Sequence, residues 1–167
     1  MIEVNIQAVR IDIGSNTPVV LLQEVEGKNR SLPIFIGEME ASAINLMVNE
    51  VESPRPLTHD LFKIMLESLN SSLTYVEITE LRDKIYFAEI HILNAQKDEI
   101  KISARPSDAI ALGLKAGVPI YVSDELMEIE GIEINLLYES EENEKDSEEL
   151  IEDFTDFLDQ VKPDDFL

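Results

Sequence analysis

The stretch SARPSDAIALGL, Ser103 to Leu114, predicts a strand that passes directly into a helix. Ahead of it, apolar and polar side chains alternate as they do in a half-buried strand. Pro106 then stands at the first helical position, where its missing N–H costs nothing, and Ser107 to Ala116 follow with helical periodicity. Because Arg105 precedes a proline, its backbone is restricted to extended conformations. The junction therefore fixes an arginine between the end of a strand and the beginning of a helix.

The remainder of residues 1–132 divides into further strands and helices of ordinary length. Turn clusters separate runs of period two, which predicts antiparallel hairpins. Thr58 and Ser123 are expected as N-caps and Gly117 as a C-cap. The predicted strands are Glu3 to Ile13, Val19 to Val25, Leu32 to Ile36, Leu73 to Leu81, Ile85 to Leu93, Glu99 to Ala104 and Pro119 to Val122, and the predicted helices are Glu38 to Glu50, Thr58 to about Leu69, Ser107 to Ala116 and Asp124 to Glu130.

The two halves of this region partly match each other. A shift of 66 residues places Ile34 on Ile100, and a shift of 65 places Pro54 on Pro119. Shared apolar periodicity between unrelated strand–helix segments is the alternative explanation, but prolines and caps match as well. We therefore predict an α+β fold built from a duplicated β-β-β-α-α unit, with a mostly antiparallel, curved or barrel-like sheet and helices packed on it.

Composition limits the classes of function. The 167 residues are 44% apolar and include no cysteine, which excludes disulfides, thiolate nucleophiles and cysteine zinc sites. No apolar run approaches the roughly 18 residues that a membrane span needs, and a cytoplasmic protein is the simplest interpretation. Thirteen basic and 35 acidic residues give a net charge of −22. Since affinity for nucleic acid comes largely from neutralising phosphates, this charge argues against tight, general nucleic-acid binding.

The last segment, residues 133–167, differs from the domain of residues 1–132. It begins with an acidic linker that is too charged to pack. Helical spacing of apolar side chains then predicts an amphipathic helix that docks on its own domain, on a partner or on a second copy in a homo-oligomer. Its acidic polar face disfavours a membrane. The apolar positions are Leu150, Phe154, Phe157, Leu158 and Val161.

A first candidate site lies in RPLTHD, Arg55 to Asp60. Two prolines stiffen the approach to a helix N-terminus, whose free N–H groups suit an anion. Arg55 can add bidentate contacts to a phosphate. Thr58 and Asp60 are alternatively plain capping residues, and His59 is either a surface histidine or an acid–base group.

The junction at Arg105 is a second candidate with the same design. Arg105 is expected either in a site or in an ion pair, while Ser107 and Asp108 begin the helix. In the duplicated fold Glu38 and Glu40 occupy the matching junction and come close to Asp108. Carboxylate clusters suit hard divalent cations such as Mg²⁺ or Mn²⁺, and a pair of acids that merely complements the helix dipole is the alternative.

Three motifs occur in an order that resembles the bifunctional nuclease domain family over about residues 3–132. They are LPIFIGEMEASAI (Leu32 to Ile44), RPLTHDL (Arg55 to Leu61) and SARPSDAIALGLKAGVPIYV (Ser103 to Val122). The resemblance implies an α+β fold and a nuclease acting on DNA and RNA. The positions that match the family's motifs are Glu38, Glu40, Arg55, Thr58, His59, Asp60, Arg105, Ser107 and Asp108.

Three functions follow from these residues. The first is a metal-dependent nuclease of short or single-stranded substrates, in which the carboxylates of Glu38, Glu40 and Asp108 hold Mg²⁺ or Mn²⁺. Substrate phosphate would then contact Arg55, Thr58, Arg105 and Ser107, and acid–base chemistry would fall to His59, Asp60 and Asp108. The second is a non-catalytic module for a small anionic ligand or a protein partner. The third is a structural oligomer in which the arginines form ion-pair joints.

Overall fold

A computed structural model describes residues 1–51 and 53–133 of the chain. The predicted acidic linker and C-terminal helix lie outside these residues, apart from Glu133. The strands are β1 (Ile2–Asp12), β2 (Thr17–Glu24), β3 (Arg30–Phe35), β4 (Ser72–Arg82), β5 (Ile85–Leu93), β6 (Glu99–Ala104), β7 (Ile120–Val122) and β8 (Ile132–Glu133). The helices are α1 (Glu38–Val48), α2 (Thr58–Ser68), α3 (Pro106–Ala116) and α4 (Asp124–Glu130).

All eight described strands belong to one mixed sheet with the order β6-β5-β4-β7-β1-β2-β3-β8. Neighbouring strands are antiparallel except β4 and β7, which run parallel. The predicted antiparallel hairpins are thus confirmed. The barrel-like alternative is wrong, because β6 and β8 remain as the two edges of an open sheet. The duplicated unit stays a prediction.

Helix α3 packs closely on the middle of the sheet. Its residues Ala109 to Gly113 are buried, and the core continues through Val76, Ile78 and Ile120. A β-carbon added at Gly113 would lie 3.0 Å from the Val76 side chain and 3.2 Å from that of Ile120, so glycine is what permits this close approach. Since side chains alternate along a strand, the residues next to Val76 point to the opposite face of the sheet.

The local signals for α3 and α4 are confirmed. Pro106 opens α3, and Gly117 closes it in the left-handed conformation with φ of 69°. The Ser123 hydroxyl accepts a hydrogen bond of 3.2 Å from the backbone N–H of Leu126, as an N-cap does. Both caps act within one helical turn, which explains why local sequence predicts them.

One expectation for α2 is wrong. Leu57, not Thr58, occupies the N-cap position, because the Asp60 carboxylate reaches back to accept the Leu57 backbone N–H at 2.9 Å. Although Leu66 packs against the core, α2 buries no residue completely. Its exposed apolar side chains are Leu61, Phe62, Ile64 and Met65, followed by Leu69 at the C-cap.

Among the described helices none is long and apolar enough to cross a membrane. The four described helices have 7 to 11 residues each, at most about half of what a bilayer requires.

Gly117→Ala tests the backbone requirement at the end of α3. An added β-carbon meets no atom within 4 Å, so only the left-handed backbone opposes it. We expect the free energy of unfolding to fall by roughly 1 kcal/mol, with a smaller loss for Gly117→Asn because asparagine tolerates this conformation. Urea denaturation measures both variants. An alanine variant as stable as the wild type would contradict the assignment.

Candidate functional site

Arg105 joins the beginning of α1 to the beginning of α3. Its Nε and Nη2 donate to the two oxygens of Asp108 at 2.7 and 2.9 Å, and its Nη1 donates to Oε1 of Glu40 at 2.8 Å. The bidentate pair with Asp108, and then the bond to Glu40, raise the pKa of Arg105. The Arg105 side chain is nevertheless 65% exposed, so this ion-pair triad remains in contact with solvent.

The triad lies in the wall of a cleft of about 600 Å³ between α1, α2 and α3. The start of α2 supplies the opposite wall, where Asp60 accepts the Leu57 N–H and pairs with Lys115 at 2.6 Å. His59 is half-buried beside them, and burial lowers its pKa while nearby Asp108 acts in the opposite direction. The cleft thus combines two cations, three carboxylates and one imidazole whose pKa is lowered.

The structure brings most of the sequence-predicted residues together. Glu40, Thr58, His59, Asp60, Arg105 and Asp108 all line this cleft. Their chemical roles stay predictions.

Three predicted residues lie elsewhere. Glu38 and Arg55 are exposed and outside the lining of the cleft, and Ser107 is buried against a second hollow of about 440 Å³. Arg105 and Glu40 stand between the two hollows and line both. Exposed Phe35 and half-buried Tyr86 give the second hollow an aromatic lining.

A separate cluster surrounds His91 in the middle of β5. Its Nδ1 lies 2.9 Å from Oε1 of Glu99, and its Nε2 lies 3.5 Å from Glu89 and 3.9 Å from Glu77. The ring of Tyr75 stacks on the imidazole at 3.9 Å between centroids, and His91 is fully buried. One ligand atom from each of Glu77, Glu89 and His91 falls within 4.8 Å of the others, so these three residues could hold a metal ion.

His91 falls within the predicted strand Ile85 to Leu93 and was not among the predicted site residues. The signal that could have found the cluster is the spacing of Glu89 and His91 on one strand, which puts both on one face. The contributions of Glu77 and Glu99 depend on the registers of β4 and β6 against β5, which only the structure supplies.

The fold and cleft define a mixed α/β protein in which the beginnings of α1 and α3 meet at one ion-pair triad, and comparison with known proteins identifies its class. The sequence model of the bifunctional nuclease domain matches residues 20–135, so the chain belongs to that family. The chain is 42% identical over 164 residues to an uncharacterized protein of Mycobacterium tuberculosis, with 98% of this chain and 97% of that protein covered.

Two plant relatives are more distant and considerably longer. Bifunctional nuclease 2 of Arabidopsis thaliana is 26% identical over 129 residues, which cover 72% of this chain and 39% of that protein. Bifunctional nuclease 2 of Oryza sativa subsp. japonica is 27% identical over 130 residues, covering 77% of this chain and 40% of that protein. The match therefore concerns one part of each plant protein.

Arg105→Gln tests whether the triad is a structural joint. Exposed ion pairs contribute little to stability, and the Arg105 side chain is 65% exposed. We expect a melting temperature within about 4 °C of the wild type, measured by circular dichroism. A variant that is already unfolded at 37 °C would instead assign Arg105 to the structural ion pair that the sequence left open.

Proposed function

We propose that this chain is a nuclease that hydrolyses phosphodiester bonds of DNA and RNA at the cleft between α1, α2 and α3. The observation that carries the proposal is the meeting of Arg105, Lys115 and half-buried His59 in one cleft of a bifunctional nuclease domain. Such a reaction needs cationic side chains that hold the phosphate and a titratable imidazole that moves a proton.

The triad leaves Arg105 able to bind a phosphate. A guanidinium has five N–H donors, and the contacts with Asp108 and Glu40 use three of them. The remaining donors can bond phosphate oxygens while the two carboxylates hold the arginine in place. Thr58 and Lys115 line the same cleft and can add a hydroxyl and a second cation.

His59 is suited to take a proton from the attacking water. Burial lowers its pKa below the ordinary value of 6.5, so the imidazole is mainly neutral at neutral pH and has a free lone pair. Asp108, whose charge opposes that shift, can stabilise the imidazolium that forms. Asp60 is paired with Lys115 and caps α2, so it positions the wall on which His59 lies.

The carboxylates of the cleft do not fit a divalent metal. When bound, Mg²⁺ or Mn²⁺ would polarise the phosphate and activate water. Arg105 already occupies the carboxylates of Glu40 and Asp108, however, and Glu38 lies outside the cleft lining. The predicted ligand set of Glu38, Glu40 and Asp108 does not fit a cation in this arrangement, and no step of the mechanism uses one.

The charge of the chain limits the substrate. A net charge of −22 repels long polyanions, and repulsion grows with the number of phosphates that must approach. Short or single-stranded nucleic acids present fewer phosphates and suffer less from this field. We therefore propose them as the preferred substrates.

Cleavage of short single-stranded DNA and RNA tests the function. We expect Asp108→Asn and Arg105→Gln to lower the rate at least about 100-fold, the usual cost of losing a charge-stabilising or proton-transfer group. Lys97→Gln, in the exposed turn between β5 and β6 and outside the lining of the cleft, controls for the loss of one positive charge. Equal cutting by Asp108→Asn and wild type would place any activity at another site or in a contaminant.

The pH dependence of the same assay tests His59. Because burial lowers the His59 pKa, the rate should fall as pH drops through a midpoint below 6.5, where the imidazole becomes protonated. In His59→Gln we expect a lower rate and no such limb. An unchanged acidic limb in this variant would remove His59 from the reaction.

A second candidate function, a protein-binding module, is favoured by α2. Its exposed Leu61, Phe62 and Met65 lie within one turn of one another and continue to Leu69. Exposed apolar patches of this kind mark contact surfaces. We propose a second copy of the chain as the partner.

Light scattering during gel filtration tests the contact. We expect the wild type to elute as an oligomer and Phe62→Ser/Met65→Ser to elute with the mass of one chain, since apolar burial drives association. Glu67→Gln, on the same helix and also exposed, should leave the mass unchanged. A monomeric wild type would contradict self-association through α2.

A further inference from the structure

We propose that Glu77, Glu89 and His91 form a binding site for a divalent transition-metal ion on the face of the sheet opposite α3. Glu99 is the residue that positions His91 for this role. The site is separate from the cleft and does not depend on the proposed function.

The location of the cluster follows from the packing of β4. Val76 faces α3, where Gly113 comes close to it, so the alternation of the strand points Tyr75 and Glu77 to the opposite face. His91 pairs with Tyr75, and Glu89 pairs with Glu77, so all four share that face. This face carries no described helix at His91, yet His91 is fully buried beneath the stacked ring of Tyr75.

The hydrogen bond to Glu99 determines which nitrogen of His91 is available. A carboxylate accepts only, so Nδ1 carries the hydrogen in its contact of 2.9 Å with Glu99. The other nitrogen, Nε2, is buried and has no hydrogen-bond partner. A carboxylate that fixes the imidazole through Nδ1 while Nε2 stays free is the arrangement found behind metal-binding histidines.

The unpartnered Nε2 points towards two carboxylates. Oxygens of Glu89 and Glu77 lie 3.5 and 3.9 Å from it, beyond the usual 2.7 to 3.2 Å of a hydrogen bond. A neutral imidazole lone pair facing two negative charges is unfavourable unless a cation lies between them. Ligand atoms bound to one metal at about 2.1 Å are about 3 to 4 Å apart, which matches these separations.

Among the described residues, one lysine pairs with the cluster and does not neutralise it. Lys101 lies 3.6 Å from Glu89 and is largely exposed, whereas Glu77, Glu89 and Glu99 contribute three negative charges around His91. A divalent ion would offset this excess of negative charge. The charge of the cluster and its geometry therefore both favour a divalent metal ion.

The ligand types select the kind of metal. One imidazole nitrogen with two carboxylates suits Mn²⁺ or Zn²⁺, whereas Mg²⁺ prefers oxygen ligands alone. Three protein ligands leave coordination positions for water. The Glu89 side chain is 36% exposed, which gives an ion and its water a path from solvent.

Metal binding by the full chain tests the site without any assay of activity. We expect isothermal titration calorimetry to give one Mn²⁺ or Zn²⁺ per chain, and Glu89→Gln or Glu77→Gln to weaken it at least 10-fold. Glu99→Gln should weaken it by 10- to 100-fold through the orientation of His91. Glu80→Gln, on β4 and paired with Arg82, and Glu40→Gln, in the cleft, should bind as the wild type does.

Two results would overturn the proposal. One is an affinity in folded Glu89→Gln equal to that of the wild type. The other is the absence of any binding by the wild type at millimolar Mn²⁺ and Zn²⁺.

Discussion

The three-residue strand β7 is the constraint on which the rest of the structure depends. Ile120 to Val122 pairs with β1 on one side and with β4 on the other, and so joins the β1-β2-β3 and β4-β5-β6 hairpins into one sheet. The strand follows α3 after only Gly117 to Pro119, so α3 is held across the middle of the sheet. The position of α3 in turn sets where Arg105 meets α1. Ile120 and Val122 are buried, and their burial stabilises the joint.

The two faces of the sheet carry different chemistry because of this arrangement. On the α3 side, Arg105 and Lys115 offset two of the three carboxylates of the cleft, so this site is far closer to neutral than the chain as a whole. On the opposite face, carboxylates around His91 outnumber the nearby lysine, and the proposed metal ion would offset this excess of negative charge. The proposed anion site and the proposed cation site thus lie on opposite faces of the sheet in a chain of net charge −22.

Local chemistry explains which features could be predicted from the sequence. Pro106, Gly117 and Ser123 act within one helical turn, so α3 and α4 follow from the residues themselves. The approach of Glu40 to Asp108 was expected, and Arg105 was expected either in a site or in an ion pair; the structure shows it bridging both carboxylates.

What depends on distant partners was not predictable. Helical periodicity identifies the apolar face of α2 but not whether anything covers it, and that face is exposed. The insertion of β7 between the hairpins and the registers that assemble the His91 cluster also cannot be read from local sequence patterns.

The most direct test of substrate binding in the cleft is a map of backbone amide shifts in isotope-labelled protein on addition of a non-hydrolysable phosphorothioate tetranucleotide. We expect shifts at Thr58 to Asp60 and at Arg105, Ser107 and Asp108, and shifts confined to other surfaces would contradict binding in the cleft.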